Sequence, residues 1–370
     1  PFNIVIFGGD GDLSKRKIVP ALFHRYSAKQ LNVDFNIYCI SRSSNNEKQF
    51  KIVLREFILK TNHKESKERD IDEFLKHVKL LQIKKNNDSF YADLKNSLDE
   101  NAQRQRVFYF SVPSSAFSEI CGTLRSSGLV NDSSKVVLEK PLGHDLKSSQ
   151  SINAIISSTF KEKQIFRIDH YLGKETVQNI MVLRFANHLF ERAWNAENIE
   201  NIQITVSESL GVEKRAGYYD NTGALLDMIQ NHLLQLLCLI AMEPPASLNP
   251  DSVRNEKVKV LQSLRLFKPS TIKGNVVRGQ YTRGANGNEK LNSYLEDIEK
   301  YNSETESFVA IKAYIDNWRW KNVPIYLRTG KRMKKRYSDI VINFKELPHN
   351  IFPDSEHRLR NKLIIRLQPE

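Results

Sequence analysis

The sequence predicts two domains of different class, a doubly wound α/β domain with a parallel sheet and then an α+β domain with a large, mostly antiparallel sheet. Up to about residue 168, short β-branched or aromatic runs alternate with longer helix-like segments, and a glycine-rich turn directly follows the first run. Such alternation is typical of parallel strands joined by crossover helices. After residue 170 the strand-like runs alternate between apolar and polar residues. We therefore expect a Rossmann-like domain over residues 1–169 and an α+β domain over residues 170–370.

The first domain contains segments with the composition of buried strands. They are rich in aliphatic, β-branched or aromatic residues. They lie at residues 3–7, 36–40, 107–112, 135–139 and 165–168. The segment 48–88 carries many charges of both signs, so we expect exposed helices there.

The second domain begins with a predicted helix over residues 174–190. Residues 199–208 then alternate strictly between apolar and polar side chains, which predicts a half-buried strand. Further strand-like runs lie at residues 308–314, 324–327, 339–344 and 362–367. The polar stretch 282–307 is predicted to be an exposed loop with a short helix.

The composition restricts the function classes. The chain of 370 residues carries 56 Lys and Arg against 43 Asp and Glu, a net charge of +13. This balance is compatible with nucleic-acid or phosphate-bearing partners. Hydrophobic residues make up 40% and charged residues 27% of the chain, which excludes global disorder and a collagen-like sequence. The longest apolar stretch, residues 233–242, is about half as long as a membrane-spanning helix, so no membrane segment is expected.

The cysteines indicate the redox environment. Cys39, Cys121 and Cys238 are far apart in the sequence and have apolar or small neighbours. This pattern supports neither a disulfide framework nor a zinc cluster, so a reducing, cytoplasmic setting is expected. No secretory signal is visible in the first residues.

A glycine-rich segment, GGDGDLS at residues 8–14, follows the first predicted strand. Read from Gly9 it is G-x-G-x-x-S, in which the tight turn and the close approach of the backbone to a pyrophosphate require small residues. A structural turn is the alternative, but the position after the first strand favours dinucleotide binding. The run Lys15-Arg16-Lys17 comes next, and it is compatible with both a solvated helix start and a phosphate contact.

The end of the second predicted strand points to the type of dinucleotide. It reads Ser41-Arg42-Ser43. An acidic residue in this region binds the ribose 2′-hydroxyl of NAD, whereas an arginine pairs with the 2′-phosphate of NADP, so NADP is favoured. Glu139, Lys140 and Pro141 follow another strand end, where α/β sheets place ligands; a salt bridge at the sheet edge is the alternative.

Residues 167–175, RIDHYLGKE, place an acid, an imidazole, a phenol and an ammonium at a strand-to-helix junction. His, Tyr and Lys side chains, together with the N–H groups of a helix start, form a suitable site for an oxyanion or a phosphate. An isolated histidine is usually structural. Four such groups at one junction favour a functional site.

A predicted helix over residues 223–242 has a broad apolar arc at 100° per residue. Asp227, Asn231, Gln235 and His232 fall across the opposite side. A polar arc in so apolar a helix requires a ligand or a protein partner. For Asn231 and Gln235 an internal hydrogen-bond network is favoured.

Residues 328–336 contain six cations and no acid. An RNA-binding patch is one interpretation, but no aromatic side chains are interleaved as stacking platforms. A contact to a sugar phosphate or to a second phosphate fits better. Most of these cations are expected to be solvated.

Taken in order, the motifs of this chain resemble those of glucose-6-phosphate dehydrogenases, and the resemblance extends over essentially the whole chain. The most specific is RIDHYLGKE; the full set is GGDGDLSKRK (8–17), EKPLG (139–143), RIDHYLGKE (167–175), DMIQNHLLQ (227–235) and LRTGKR (327–332). The resemblance implies oxidation of D-glucose 6-phosphate to 6-phospho-D-glucono-1,5-lactone with hydride transfer from C1 to NADP, the first step of the oxidative pentose phosphate pathway. It also implies a homodimer or homotetramer, and a reaction that needs no metal.

The same resemblance assigns roles to the residues that match the motifs. The catalytic pair would be His232, as the general base for the C1 hydroxyl, and Asp169, which orients it. The substrate phosphate would be bound by His170, Tyr171 and Lys174. The sugar would be positioned by Lys17, Glu208, Asp227 and Lys331, with Arg336 at a site that the family fills with a cation. The cofactor site would be lined by Gly8, Gly11, Asp12, Leu13, Arg42, Ser43, Tyr109, Pro113, Glu139 and Lys140.

Two features depart from the family pattern. Asp10 stands where family members usually carry Ser or Thr, so its carboxylate would weaken dinucleotide binding unless it turns away from the pyrophosphate. The chain ends at Glu370, whereas the family sequence normally continues through the rest of the large sheet. The C-terminal part of the second domain is therefore expected to be missing.

Two other functions are compatible with parts of the pattern. Another NADP-dependent sugar oxidoreductase would share the glycine loop, but it gives no reason for the cluster at residues 170–174. A basic nucleic-acid-binding or regulatory protein would explain the net charge of +13. Part of that charge is assigned to phosphate groups instead, through Lys17, Arg42, Lys140, Lys174, Lys331 and Arg336.

Overall fold

The computed structural model describes residues 1–31, 34–43, 46–61, 68–83, 88–100, 104–286, 289–349 and 360–369. The chain divides into two compact units, Pro1–Ile168 and Asp169–Glu370. Among the described residues, no helix combines the length and the apolar composition that crossing a bilayer requires.

The first unit is built on a six-stranded, fully parallel sheet of order β3-β2-β1-β4-β5-β6. Its strands are β1 (Phe2–Phe7), β2 (Phe35–Ser41), β3 (Val78–Gln82), β4 (Gln105–Phe110), β5 (Lys135–Leu138) and β6 (Ile165–Arg167). Phe7 pairs in register with Ile40 on one side and Phe110 on the other. The carboxyl ends of β1, β2 and β4 therefore meet at one edge, where the strand order changes direction and where such sheets bind ligands.

Helices cover both faces of this sheet, which confirms the doubly wound class. They are α1 (Val19–Ser27), α2 (Glu47–Thr61), α3 (Glu68–Lys76), α4 (Asp88–Asp99), α5 (Phe117–Ser126) and α6 (Leu146–Ser157). A π-helical turn, Ser14–Ile18, leads into α1. Val5 and Phe7 pack into one hydrophobic cluster, whereas Ile4 and Ile6 pack into another on the opposite face.

The prediction for residues 48–88 was partly wrong. Helices α2 and α3 lie there, but Val78–Gln82 forms β3 at the edge of the sheet. Val78 and Leu80 are buried, whereas Lys79 between them is exposed. This edge strand is short and is flanked by charged, helix-forming residues. Its alternation of buried and exposed side chains is therefore too brief to be recognised in the sequence.

The second unit contains a mixed six-stranded sheet of order β14-β13-β7-β12-β11-β8. Its strands are β7 (Ile199–Ser207), β8 (Val276–Gly279), β11 (Phe308–Ala313), β12 (Ile325–Gly330), β13 (Tyr337–Phe344) and β14 (Lys362–Gln368). Only the β7–β12 pair is parallel, so the predicted, mostly antiparallel sheet is confirmed. The predicted loop over 282–307 contains a small hairpin of β9 (Gly284–Asn286) and β10 (Glu289–Leu291); residues 287 and 288 lie outside the described residues.

The helices of the second unit differ from expectation in one place. They are α7 (Glu175–Phe185), α8 (His188–Ala193), α9 (Ala216–Tyr219), α10 (Leu234–Ala241), α11 (Pro250–Gln262), α12 (Pro269–Asn275) and α13 (Tyr294–Asp297). The helix predicted over 174–190 is two helices, because Asn187 adopts an extended conformation before α8. Asparagine favours this helix-start position, which the apolar periodicity of the segment does not reveal.

The predicted helix over 223–242 is confirmed, and its first part has unusual geometry. Residues Leu225–Leu233 form a π-helix that continues directly into α10. The segment starts after Gly223, whose φ of +67° and close approach to the Glu306 carboxylate exclude a side chain. Glu306 Oε1 accepts the Leu225 N–H at 2.9 Å. The π-helix contains both Asp227 and His232, and π-helical turns are frequent at functional sites.

Candidate active site

A histidine and an aspartate from distant parts of the second unit form the centre of the candidate site. His232 Nδ1 lies 2.6 Å from Asp169 Oδ1, and their side chains are 1% and 12% exposed. The π-helix fixes His232. Asp169 stands at the start of the helical turn His170–Gly173 and accepts the Tyr171 N–H at 2.9 Å. Both side chains are therefore held by backbone elements as well as by each other.

The charge of Asp169 determines which nitrogen of His232 can accept a proton. Burial raises the pKa of Asp169, but the hydrogen bonds from His232 and the Tyr171 N–H outweigh this, so that the pKa lies below the ordinary value of 3.8. An ionised carboxylate only accepts hydrogen bonds, so Nδ1 of His232 carries the proton that is shared with Asp169. The basic lone pair of such an imidazole is then on Nε2, which is the arrangement of a carboxylate-oriented general base.

Aromatic rings and an ammonium surround His232. The ring of Tyr171 stacks on His232 with centroids 4.4 Å apart, and the ring of His170 meets it edge-on at 4.3 Å. Lys174 Nζ lies 4.1 Å from the Tyr171 ring centroid and donates to Gln368 Oε1 at 3.0 Å. Tyr171 is buried, and burial raises its pKa to about 12. The structure thus brings together His170, Tyr171 and Lys174 of the predicted phosphate cluster.

A second polar group lies just past the ends of β7 and β12. Ser207 and Gly330 are paired at the ends of these parallel strands, so Glu208 and Lys331 follow side by side. Lys331 Nζ is 2.5 Å from Glu208 Oε2. Both Glu208 and the buried Asp227 act electrostatically on Tyr219, over whose ring Lys331 lies. The predicted sugar-positioning residues Glu208, Asp227 and Lys331 are therefore neighbours.

The cation-rich run 328–336 divides into two groups. Arg328 donates to Thr205 and Tyr337, Lys331 pairs with Glu208, and Arg332 pairs with Asp297. The others are exposed, namely Lys334, Lys335 and Arg336. Three of the six cations therefore have partners on neighbouring strands and loops, whereas the sequence predicted that most of the six would be solvated. Arg336 acts on the buried Tyr171, which places it near the cluster.

The spacing of Asp169, His170 and His232 raises the alternative of a metal centre. Their donor atoms lie within 4.8 Å of one another. However, two ligands of a tetrahedral metal site at about 2.1 Å are roughly 3.4 Å apart, whereas the His232–Asp169 separation of 2.6 Å is that of a charge-assisted hydrogen bond. The Nδ1–Oδ1 distance therefore fits a hydrogen bond between these two atoms rather than two ligands of one tetrahedral metal ion.

In the first unit, the glycine-rich turn stands at the carboxyl end of β1. A Cβ atom at Gly8 would lie 2.4 Å from the Ser111 carbonyl oxygen, and one at Gly9 would lie 2.5 Å from Cys39 Cα. Gly8 also has a φ of +77°. The Gly9 N–H donates to the Ile40 carbonyl at 2.8 Å. The turn is therefore packed against β2 and β4, and the helical segment that follows it starts where a dinucleotide phosphate is bound in this fold class.

Asp10 does turn away from the glycine turn, toward the end of β2. Its Oδ2 atom accepts the hydroxyls of both Ser41 and Ser43 at 2.7 Å. Burial raises the pKa of Asp10, but these two hydrogen bonds outweigh it and hold the pKa below 3.8. The neighbouring Arg42 extends to Glu119 at 3.0 Å, with both side chains about 70% exposed. A carboxylate thus occupies the place where the adenosine ribose is recognised in such domains.

The other predicted cofactor residues lie near the carboxyl ends of the strands at the same sheet edge, or on the helical segment that follows the glycine turn. Tyr109 of β4 donates to the Glu139 carboxylate beyond β5, and the Lys140–Pro141 peptide bond is cis. Asp12 forms an exposed ion pair with Arg16 at 2.7 Å. Leu13 and Lys17 are exposed on the same helical segment, and Pro113 precedes the turn Ser114–Ala116. Lys17 belongs to the first unit, unlike the other residues predicted to position the sugar.

Three residues near this site were not predicted to belong to it. Gln368 accepts a hydrogen bond from Lys174, and Lys257 donates to Gln235 Oε1 at 3.0 Å. Lys331 lies over the Tyr219 ring, and Asp227 acts on Tyr219 electrostatically. The contact between Lys257 and Gln235 confirms that Gln235 takes part in an internal network, as predicted. Lys257 lies in a stretch whose mixed charges are typical of an exposed helix, so no sequence signal separates it from its solvated neighbours.

Comparison with known proteins places the chain in a family. Residues 5–179 match the family model described as glucose-6-phosphate dehydrogenase, NAD binding domain. Residues 181–370 match the model described as glucose-6-phosphate dehydrogenase, C-terminal domain. Together the two models span nearly the whole chain.

Individual relatives agree with the family models. The chain is 48% identical to glucose-6-phosphate 1-dehydrogenase of Rhizobium meliloti and 46% identical to that of Mycolicibacterium smegmatis, covering all of this chain and 76% of each relative. A solved structure of glucose-6-phosphate dehydrogenase in complex with its substrate glucose 6-phosphate aligns with a TM-score of 0.91 and 38% identity, over 100% of this chain and 76% of that one. The chain therefore belongs to the glucose-6-phosphate dehydrogenase family.

Proposed function

We propose that this chain oxidises D-glucose 6-phosphate at C1 to 6-phospho-D-glucono-1,5-lactone with NADP, as the first step of the oxidative pentose phosphate pathway. Membership of the family makes it an oxidoreductase with a dinucleotide-binding domain. The observation that carries the mechanism is the buried His232–Asp169 pair, 2.6 Å apart, beside a cluster suited to a phosphate. NADP, the residue roles and the assembly are our proposals.

The proton transfer follows from the orientation of His232. With Nδ1 directed to Asp169, Nε2 is the atom that takes the proton of the C1 hydroxyl as hydride leaves C1. The imidazolium formed is stabilised by the Asp169 carboxylate at 2.6 Å. His170, Tyr171 and Lys174 would bind the substrate phosphate through a ring nitrogen, a hydroxyl and an ammonium. Glu208, Asp227, Lys331 and Lys17 would hold the sugar hydroxyls, with Arg336 as the additional cation.

The residues of the first unit fit a dinucleotide, because the glycine-rich turn stands at the carboxyl end of β1 and leads directly into a helical segment, where this fold class binds a pyrophosphate. When bound, NADP supplies the hydride acceptor. Arg42 and Ser43 would contact its adenosine phosphate. The remaining contacts would come from Gly8, Gly11, Asp12, Leu13, Tyr109, Pro113, Glu139 and Lys140.

The function is tested by following NADPH formation by the purified chain with glucose 6-phosphate, and by repeating the assay with glucose. We expect turnover with glucose 6-phosphate and a loss of at least about a hundredfold in kcat/KM with glucose, since the charged phosphate contacts are then absent. Equal use of both sugars would favour another sugar oxidoreductase. Dinucleotide binding without reduction by either sugar would contradict the proposal.

Asp10 is expected to limit the preference for NADP. Its carboxylate faces Ser43, where the 2′-phosphate would bind, so the two negative charges repel each other. In the Asp10→Asn variant, which keeps the shape, we expect about fivefold tighter binding of NADP, corresponding to roughly 1 kcal/mol of repulsion, and no tighter binding of NAD. Fluorescence titration of both dinucleotides measures this. An equal change for NAD and NADP would indicate a general effect on the loop.

We also propose a cytoplasmic enzyme that assembles as a homodimer or homotetramer and binds neither nucleic acid nor membranes. Free, buried cysteines at positions 39, 121 and 238 support a reducing compartment. The net charge is +13, and several of the cations are proposed to bind the phosphate groups of the sugar and the dinucleotide. This part of the positive charge therefore does not require a nucleic-acid partner. Light scattering of the purified protein reports the assembly.

A further inference from the structure

The π-helix that carries Asp227 and His232 begins at a residue that cannot cap it. The preceding residue is Ala224, which already has helical dihedral angles and whose methyl group accepts no hydrogen bond. The first N–H groups of a helix have no intrahelical partner, and the i to i+5 spacing of a π-helix leaves one more of them than an α-helix does. These donors therefore require acceptors from elsewhere in the chain.

Glu306 supplies two such acceptors from the segment that precedes β11. Its carbonyl oxygen accepts the Ala224 N–H at 3.0 Å, and its Oε1 atom accepts the Leu225 N–H at 2.9 Å. The side chain is buried, and a Cβ atom at Gly223 would lie 2.6 Å from Oε1. A carboxyl group at this end of a helix also interacts favourably with the helix dipole. Glu306 therefore caps the π-helix, although it lies 81 residues beyond Leu225 in the sequence.

The residue after Glu306 binds the strand end that carries Lys331. The Ser307 carbonyl oxygen accepts the Lys331 N–H at 2.9 Å, and Ser307 Oγ accepts the Tyr281 N–H at 2.9 Å. Ser307 is completely buried. Two adjacent residues thus contact the backbone of Lys331 and the start of the helix that carries Asp227.

We propose that Glu306 is a positioning residue for the dehydrogenase reaction, which sets the place of the Asp227 carboxylate relative to Lys331 by capping the π-helix. This inference rests on the proposed function, in which both of those side chains hold sugar hydroxyls. Asp227 is two residues beyond Leu225, so unwinding of the first turn would move its carboxylate. A displacement of about 1 Å in a positioning group is enough to weaken its effect on the substrate strongly.

His232 depends less on this cap than Asp227 does. Its Nδ1 atom lies 2.6 Å from Asp169 Oδ1, and the Tyr171 ring stacks on its imidazole. Beyond His232 the π-helix continues directly into α10. Helix ends fray before their interiors do. Removal of the cap is therefore expected to weaken substrate binding more than the chemical step.

The acceptor atom of Glu306 matters more to this role than its charge. The cation nearest to its other oxygen is Arg278, whose Nη1 atom lies 3.7 Å from Oε2 and whose side chain is 58% exposed. An ion pair with so exposed a partner contributes little. Glutamine, which has the same shape and a carbonyl oxygen, is thus the conservative replacement.

The test measures the Kd of glucose 6-phosphate by calorimetry, together with KM and kcat, for the full chain with Glu306→Leu or Glu306→Gln. Leucine has a similar size but no acceptor atom, so we expect Kd and KM to rise about tenfold while kcat stays within about threefold of the wild type. Glutamine keeps the acceptor, and its values should stay within about twofold of the wild type. The matched control is Glu304→Leu, at an exposed position of the same segment, for which no value should change.

The pattern of the two variants separates positioning from general stability. A smaller folded fraction would lower the apparent kcat at an unchanged KM, and that result, or an unchanged Kd in Glu306→Leu, would overturn the inference. So would a Glu306→Gln variant that binds the substrate as weakly as Glu306→Leu. If Glu306→Leu does not fold, Glu306→Asp carries the same test with the same outcomes, because its side chain is one methylene shorter and withdraws the carboxylate from the Leu225 N–H. A wild type without glucose 6-phosphate turnover would instead contradict the proposed function.

Discussion

Replacing His232 with asparagine is expected to lower kcat for glucose 6-phosphate by about 10³- to 10⁴-fold and to leave the substrate Kd within about threefold of the wild-type value. Asparagine has no lone pair of suitable basicity to accept the C1 hydroxyl proton. The interaction with His232 is strongest in the transition state, where the C1 hydroxyl proton moves to the imidazole, so its loss affects turnover more than substrate binding.

The surroundings of His232 indicate that the asparagine variant keeps the fold, so that a loss of turnover would report on the missing imidazole. His232 is buried and its backbone belongs to the π-helix, where Asn231 Oδ1 already accepts the His232 N–H at 2.6 Å. An asparagine side chain is smaller than the imidazole and adds no bulk against Tyr171. The fold should therefore persist, as circular dichroism and the melting temperature would show.

Single-turnover kinetics and equilibrium binding of glucose 6-phosphate separate the chemical step from substrate affinity in this variant. The control is His188→Asn, at an exposed position on α8, for which kcat should be unchanged. Near-normal turnover by His232→Asn would remove this residue from the base role. A proportional loss of substrate binding would make it a binding residue instead.

The sequence pattern identified the two residues of this pair, but not how they meet. Asp169 stood out in a dense polar motif, and His232 stood out as a polar residue in an apolar helix. They are 63 residues apart in the chain, and periodicity describes one element at a time, so their pairing was expected only from the resemblance. The same holds for Glu208 and Lys331, which meet because β7 and β12 are parallel neighbours.

Other features could not be predicted because their physical causes lie in tertiary packing. The sequence does not show that Leu225–Leu233 winds as a π-helix. The prediction assumed the 100° spacing of an α-helix, and the same residue types are compatible with both kinds of helix. Lys257 has the local pattern of a solvated cation, yet α10 covers it. The short strand β3 competes with helix-forming neighbours and is decided by pairing with β2.

Asp169→Asn is expected to lower kcat by about 10²- to 10⁴-fold, again with substrate affinity largely retained. The amide keeps the size of the carboxylate and an oxygen that can accept the Tyr171 N–H. It removes the negative charge that stabilises the imidazolium, and its NH₂ group can face Nδ1 of His232 and select the wrong tautomer. The pKa of Asp169 lies below its ordinary value, so this charge is present throughout the neutral range and the deficit should persist there.

The double variant Asp169→Asn/His232→Asn decides whether the two residues act as one unit. If Asp169 works through the imidazole, removing it from an enzyme that already lacks His232 costs little more, and the double variant should match His232→Asn within about threefold. Losses that multiply would mean that Asp169 contributes separately, for instance by binding substrate. Since Asp169 Oδ1 lies 2.6 Å from Nδ1 and also accepts the Tyr171 N–H, its negative charge reaches the reacting atoms through His232, and we expect the losses not to multiply.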